Sequence, residues 1–129
     1  MPSIFTRIIQ GEIPCEKILE DADWFAFMDI HPINPGHTLV VPKIEVDELF
    51  EVADDVLRGA MPFAKRIAKA LKRSVPCERI GIMVAGFEVP HAHIHLVPIQ
   101  GEGELTFSRA RPAKPEELAA LGRIIREYL

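Results

Sequence analysis

The sequence has few of the features that identify several large classes of protein. Its 129 residues include only two cysteines, Cys15 and Cys77, which form no Cys-x-x-Cys pair, and this argues against a disulfide framework or a cysteine-rich metal site. No apolar run approaches the roughly 20 residues of a membrane-spanning helix. The N-terminus lacks the apolar stretch and cleavage site of a secretory signal. We therefore expect reduced thiols and a cytoplasmic protein without a membrane partner.

Clustered positive charge is also missing. Lys and Arg total 15 against 19 for Asp and Glu, a net charge of −4, and the basic residues are spread along the chain. Since nucleic-acid binding needs a concentrated basic surface, we expect no nucleic-acid partner. The apolar residues, 48% of the total, are enough for one core. The length fits a single domain, which we assign to residues 1–129.

Hydrophobic periodicity predicts an α+β fold. Short apolar runs bounded by turn residues predict five strands, over residues 16–19, 24–30, 37–41, 79–85 and 91–99. Helical spacing predicts a short helix over 4–10 capped by Ser3, a long helix over 46–74 with a kink or a new start at 59–62, and a C-terminal helix over 115–128. Because helices do not alternate with strands, we expect a mostly antiparallel sheet of about five strands with one long helix and short terminal helices.

Three histidines alternate with apolar residues near the end of the chain, in Pro90-His91-Ala92-His93-Ile94-His95-Leu96-Val97-Pro98. In an unbroken strand they share one face, and the apolar residues between them pack on the other face beneath the long helix. Buried imidazoles are costly unless they have partners, so the row predicts a functional site. Nucleophilic catalysis by imidazole is the favoured chemistry. Two alternatives remain, plain hydrogen-bonded histidines or a zinc site with His37 as the fourth ligand. A hydrolytic metal site usually includes a carboxylate, for which Glu88 is the only close candidate.

The histidine row matches the His-φ-His-φ-His-φ-φ pattern of the histidine triad (HIT) family, in which φ is apolar. Other segments resemble that family in the same order along the chain: Ile4-Phe5, Ile8-Ile9, Gly11-Glu12-Ile13-Pro14, Phe27-Met28-Asp29-Ile30 and Pro35-Gly36-His37-Thr38-Leu39-Val40-Val41-Pro42-Lys43. The resemblance covers residues 3–99 and implies a HIT-like fold.

This resemblance implies hydrolysis or transfer at the α-phosphate of a nucleotide. The middle histidine, His93, would attack phosphorus and form a nucleotidyl-histidine intermediate, and His95 would hydrogen-bond the phosphate. His91 and His37 would order the imidazoles and help to supply the leaving-group proton. Asp29 matches an acidic position that holds the ribose hydroxyls. The apolar positions around the base are matched by Ile4, Phe5, Ile8, Ile13 and Phe27.

The chain departs from the family pattern in four places. Ser3-Ile4-Phe5-Thr6 replaces the Cys-x-x-Cys of zinc-binding members, so we expect no metal and no cofactor. Ile80 and Ile99 stand where a polar amide and an Arg are common. Phe87 removes a polar group, and Glu88 puts an anion where small hydroxyl residues often meet phosphate. We expect Glu88 to disfavour polyphosphates and to tolerate amine leaving groups.

The leading interpretation is therefore a purine nucleoside phosphoramidase, which hydrolyses a phosphorus–nitrogen bond and releases a nucleoside monophosphate. The alternatives are a dinucleoside polyphosphate hydrolase, nucleotide transfer to a sugar phosphate, a non-catalytic nucleotide-binding regulatory module and a zinc-binding module. Relatives of this size are typically homodimers, and the long helix with its neighbouring strand edge offers a two-fold interface.

Overall fold

One antiparallel sheet organises the computed structural model, which describes residues 1–129. The strands are β1 (Lys17–Glu20), β2 (Trp24–Met28), β3 (Thr38–Pro42), β4 (Arg79–Met83) and β5 (Ile94–Ile99). They lie in the order β1-β2-β3-β5-β4, with every neighbouring pair antiparallel. The helices are α1 (Ile4–Ile9), α2 (Asp54–Leu57), α3 (Ala60–Ser74) and α4 (Pro115–Glu127). The predicted α+β class with a five-stranded antiparallel sheet is confirmed.

The two faces of the sheet carry different layers because side chains alternate along each strand. On β2, Trp24, Ala26 and Met28 belong to the main core, which is closed by residues of α3 and α4. Phe25 and Phe27 point to the other face, where they pack with Phe5 of α1. The α1 face holds the histidines, so α3 and α4 support the site from behind.

The long helix predicted over 46–74 is wrong in its first half. The chain forms a short 3-10 turn (Leu49–Glu51), then α2, and only then α3. Val52 and Ala53, which lie between the 3-10 turn and α2, have an extended backbone. The apolar spacing reports burial only in part: Leu49, Val56 and Leu57 pack against the core, but Phe50 is 91% exposed. The packed side chains reach the core from the 3-10 turn and α2, and the helix starts anew at Ala60, within the expected segment around Pro62.

The last strand is shorter than predicted, so the prediction that one strand carries all three alternating histidines on a shared face is wrong. β5 starts at Ile94, so of the three alternating histidines only His95 lies within it. The β3–β5 ladder ends where Val40 opposes Ile94. Beyond that point the backbone N–H of Ala92 donates to the Val46 carbonyl instead, at 2.7 Å. β4 likewise ends at Met83 rather than residue 85, and the remaining predicted ends agree with the observed ones to within two residues.

None of the helices combines the length and the apolar character that a membrane span requires. Both cysteines are free, as expected.

Candidate active site

Backbone groups fix the protonated nitrogen of His91. Its Nε2 lies 2.7 Å from the carbonyl oxygen of Pro42, and a carbonyl oxygen accepts but never donates. Nε2 therefore carries the proton, and Nδ1 accepts from the Ser3 hydroxyl at 2.7 Å. The same Ser3 oxygen caps α1 by accepting the backbone N–H of Thr6 at 3.0 Å. Ser3, at the position of the first cysteine of zinc-binding members, thus hydrogen-bonds an imidazole, while the Thr6 hydroxyl, at the second, donates to Glu45 at 2.7 Å.

His93 has the other tautomer, because its backbone hydrogen bond is made by Nδ1 instead of Nε2. Its Nδ1 lies 2.7 Å from the carbonyl oxygen of His91 and must donate to it. The proton of the neutral ring is therefore on Nδ1, and Nε2 holds a free lone pair. Phe5 lies edge-on to this ring, with the ring centroids 5.0 Å apart. A neutral imidazole with a fixed tautomer and a free Nε2 is the form that nucleophilic attack requires.

His37 and His95 form a directed hydrogen-bond relay. The backbone N–H of Ile33 donates to His37 Nδ1 at 3.0 Å, so the His37 proton is on Nε2. That nitrogen lies 2.9 Å from Nδ1 of His95 and donates to it. The proton of His95 is consequently on Nε2, which is the only buried side-chain nitrogen or oxygen without a hydrogen-bond partner. A buried N–H without an acceptor is costly, and here it offers a donor to a bound group.

The loop before β3 positions His37. Gly36 adopts a φ of +93°, a left-handed conformation that favours glycine. A β-carbon at Gly36 would also lie about 3.1 Å from side-chain atoms of Pro98 and Val75. The loop is closed by the backbone N–H of Asp29, which donates to the His37 carbonyl at 3.0 Å. Substituting Gly36 would therefore displace the relay through the backbone.

Burial favours the neutral forms of His37, His91 and His95 by lowering the pKa of each ring. It is the main cause that lowers the pKa of His95, to about 3, with His37 and His93 adding to the effect. Burial also lowers the pKa of His37, against the opposing attraction of Asp29. For His91 burial lowers the pKa in spite of the Pro42 carbonyl and Glu45. These neutral states agree with the tautomers that the hydrogen bonds assign.

These pKa shifts predict that acid destabilises the fold. Below the ordinary histidine value of 6.5, an unfolded chain takes up protons that the buried rings refuse, so the free energy of unfolding falls as the pH drops from 6.5 towards the folded-state pKa, about 3 for His95. Each such ring adds a limiting slope of about 1.4 kcal/mol per pH unit. Urea unfolding between about pH 7 and pH 5 measures the total slope, and His91→Gln should reduce it by up to one proton. A flat profile would contradict the neutral assignments.

An apolar cavity of about 230 Å³ opens beside His93 and His95. Its lining includes every residue that the sequence predicts around the nucleotide: Ile4, Phe5, Ile8, Ile13, Phe27, Asp29 and Glu88. Sequence reasoning missed Cys15, His31, Leu39 and Val89, which also line it. Cys15 and Val89 read as ordinary core residues in the sequence, and no pattern there distinguishes them.

The two carboxylates of this cavity differ in their partners. Asp29 Oδ1 accepts the backbone N–H of His31 at 2.8 Å, while Oδ2 lies 3.5 Å from His37 Nε2. These contacts hold the half-buried Asp29 in one orientation. Glu88 is exposed at the rim. The loop that replaces the predicted strand at residues 91–93 is what allows Glu88 onto the same side as His93.

Ile80 and Ile99, the other departures from the family pattern, lie away from this cavity. Ile80 packs against the core beneath α3, and Ile99 is buried with Ile33 and Val97. Neither side chain lines the cavity beside His93. Their replacement of polar residues therefore does not change the cavity wall.

One group of side chains has the composition of a metal site. Asp29, His37 and His95 each offer a ligand atom, and these atoms lie within 4.8 Å of one another. This set differs from the zinc set considered from the sequence, which joined the three alternating histidines to His37. In the structure the two imidazoles of this set are already joined by the relay hydrogen bond between His37 Nε2 and His95 Nδ1. A metal at this position would have to displace that proton.

The chain is similar to proteins from widely separated organisms. A family model described as HIT domain matches residues 10–102. Adenosine 5'-monophosphoramidase HNT1 of Saccharomyces cerevisiae is 38% identical over 128 residues, covering 98% of this chain and 80% of the relative. The HIT-like protein MJ0866 of Methanocaldococcus jannaschii is 41% identical over 108 residues, covering 79% and 83%.

Solved structures agree with this. A HIT-like protein from Bartonella henselae superposes with a TM-score of 0.87 at 32% identity, covering 98% of this chain and 96% of that one. A zinc-bound histidine triad family protein from Mycobacterium smegmatis gives a TM-score of 0.80 at 28% identity, covering 97% and 91%. Motif, fold and similarity over nearly the whole chain lead to one conclusion: the chain belongs to the histidine triad family.

Proposed function

We propose that this protein is a purine nucleoside phosphoramidase, with residues 1–129 forming one catalytic domain. The observation that carries the proposal is the pair of complementary nitrogens beside the apolar cavity, a free lone pair on His93 Nε2 and a partnerless N–H on His95 Nε2. The names of the relatives support it, since two yeast proteins at 38% and 35% identity are called adenosine 5'-monophosphoramidases.

The proposed reaction has two displacements. His93 Nε2 forms a bond to the α-phosphorus while the phosphorus–nitrogen bond breaks, and its electron pair leaves with the amine nitrogen. Water then attacks phosphorus and releases His93. The leaving nitrogen takes up a proton from solvent as the phosphorus–nitrogen bond breaks. In the second step the water hydroxyl stays on phosphorus and its other proton returns to solvent, so the enzyme is regenerated. His95 Nε2–H donates to a phosphoryl oxygen, where charge increases in each transition state.

The nucleoside is proposed to fill the cavity between α1 and the sheet. The walls formed by Ile4, Phe5, Ile8, Ile13 and Phe27 suit a flat purine. Asp29 suits the ribose, because a carboxylate accepts from both the 2′- and the 3′-hydroxyl. The cytoplasmic location expected from the sequence stays a prediction.

A substrate panel tests the function. We expect hydrolysis of adenosine 5'-phosphoramidate at a higher kcat/KM than that of a diadenosine polyphosphate. Turnover should survive prolonged chelation, because the proposed chemistry uses imidazole alone. Preference for the polyphosphate would favour the alternative hydrolase. AMP binding without turnover would indicate a regulatory module, and loss of activity on chelation with recovery in zinc would indicate a metal enzyme.

Glu88 should bias the choice of substrate. Its carboxylate lies at the rim of the cavity that His93 and His95 line, where it repels a polyphosphate but not an amine. We expect Glu88→Gln to raise the kcat/KM ratio of polyphosphate to phosphoramidate by roughly two- to tenfold at low salt, and less at high salt. Glu116→Gln removes the same charge from the start of α4 and serves as the control. An unchanged ratio would show that Glu88 does not set selectivity.

We also propose a homodimer that pairs through β4. This strand lies at one edge of the sheet, and Ile82 on it is 49% exposed. Pairing of two such edges removes an aggregation-prone surface and closes a two-fold assembly. Light scattering at micromolar concentration should give about twice the chain mass of 14.5 kDa, and Ile82→Lys should shift the protein towards monomer. A monomeric wild type would refute the dimer.

A further inference from the structure

A second cavity, of about 420 Å³, also reaches His93. It lies between the loop that follows β3 and the loop that follows β4. The two cavities share a single lining residue, His93. Even the consecutive residues Phe87 and Glu88 divide between them, Phe87 lining the second cavity and Glu88 the first. His93 is therefore reached from two separate spaces.

The second cavity has an unusual wall. Phe50 and Phe87 are 91% and 96% exposed, which is rare for such large apolar side chains. They come from different loops and line the same cavity. Exposed aromatic rings grouped beside a reactive residue are typical of a binding surface rather than of a core. Asp47 and Glu48 line the same cavity and add negative charge.

We infer that this second cavity binds the leaving group, and that the preferred leaving group is a primary amine with an aromatic or long apolar body. The inference rests on the proposed function. In a phosphoramidate, the α-phosphorus carries the nucleoside on one substituent and the amine on another. With phosphorus at His93 Nε2 and the nucleoside in the first cavity, the second cavity offers a separate space that also begins at His93.

The chemistry of the wall selects the class of leaving group. The rings of Phe50 and Phe87 gain apolar contact from an arylalkyl chain and stack on an aromatic group. The carboxylates of Asp47 and Glu48 repel a leaving phosphate chain but not an amine, which is neutral or positively charged. Phe50 and Phe87 are therefore specificity-determining residues of the proposed reaction. They act on the leaving group, whereas Glu88 acts from the nucleoside side.

Two substrates that differ only in the amine test this inference: unsubstituted adenosine 5'-phosphoramidate and its N-(2-phenylethyl) derivative. We expect wild type to prefer the derivative. Phe50→Ala and Phe87→Ala should each lower the kcat/KM ratio of derivative to parent by about tenfold, since a pocket distinguishes small differences in apolar contact by this order. Ile124→Ala removes a partly exposed apolar side chain from α4 and should leave the ratio as in wild type.

The outcomes separate this inference from the proposed function. Cleavage of the parent with a ratio that neither phenylalanine variant changes would overturn the leaving-group site and leave the phosphoramidase intact. An equal loss on both substrates would mean that the rings only support the His93 loop, which also overturns it. If light scattering shows a dimer for wild type and a monomer for either phenylalanine variant, the rings belong to a subunit contact rather than to a leaving-group site. Failure of wild type to cleave either substrate would remove the proposed function itself.

Discussion

His93→Ala is expected to lose turnover by roughly 10⁴- to 10⁶-fold, the range seen when a covalent nucleophile is removed. The reason is the free lone pair on Nε2, which the hydrogen bond from Nδ1 to the His91 carbonyl maintains. Without it, one of the two displacements has no attacking atom. Single-turnover kinetics with adenosine 5'-phosphoramidate measures the loss, and mass spectrometry of quenched wild type should reveal one adenylyl group on the protein.

The control for this variant is chemical rescue. His93 sits in a short loop segment before β5 rather than within the ladder, so the substitution should leave the sheet folded and AMP binding measurable. His93→Gly with added imidazole should recover part of the activity, because the free base then occupies the vacated space. Near-normal turnover in His93→Ala, or an adduct on another residue, would overturn the covalent mechanism.

The second large effect is expected from the His37–His95 relay. His95→Phe keeps a ring of similar size but removes the partnerless Nε2–H, and it should cost roughly 10²- to 10³-fold in kcat, as for loss of one oxyanion donor. Because that donor acts mainly when charge builds up on phosphorus, KM should change far less than kcat. Steady-state kinetics at saturating and limiting substrate gives the two parameters separately.

Variants of His37 distinguish a tautomer effect from simple packing. In His37→Gln the new side-chain amide would offer an N–H to His95 Nδ1 and an oxygen to the Ile33 N–H, so this variant should retain most of the activity. His37→Leu fills similar space with neither group, and His95 is then free to place its proton on Nδ1. We expect His37→Leu to approach the loss of His95→Phe. Equal activity in the two His37 variants would show that the relay does not fix the tautomer of His95.

The sequence predicts those residues of the candidate site whose side-chain type and spacing in a motif already indicate their chemistry. His93, His95 and Asp29 follow from a spaced motif, and the structure brings all three to one cavity. The second cavity could not be predicted, because Phe50 and Phe87 lie far apart in the chain. Phe50 also fits the helical spacing over residues 46–74, where an apolar residue is expected to be buried.

The class of the fold and most segment boundaries were predicted, but the starts of the long helix and of β5 were not. Period-two alternation does not reveal where a ladder loses its partner, and here the Pro42 carbonyl is taken by the His91 ring. Helical periodicity likewise does not reveal the path between buried side chains, and Phe50 fits the spacing although it is exposed. The Trp24 indole donates to the Val56 carbonyl at 2.9 Å, which helps to hold α2 apart from α3. Such long-range hydrogen bonds have no local signal.

The double use of the Ser3 hydroxyl has a thermodynamic consequence. One oxygen caps α1 and donates to His91, and α1 supplies Ile4, Phe5 and Ile8 to the cavity wall. Undocking of α1 therefore releases His91 and opens the wall in one event. If the cavity binds a base, helix docking, ligand affinity and imidazole orientation are linked equilibria, and each favours the others by the same coupling free energy. The N-terminal helix is then a cooperative part of the catalytic domain rather than a static wall.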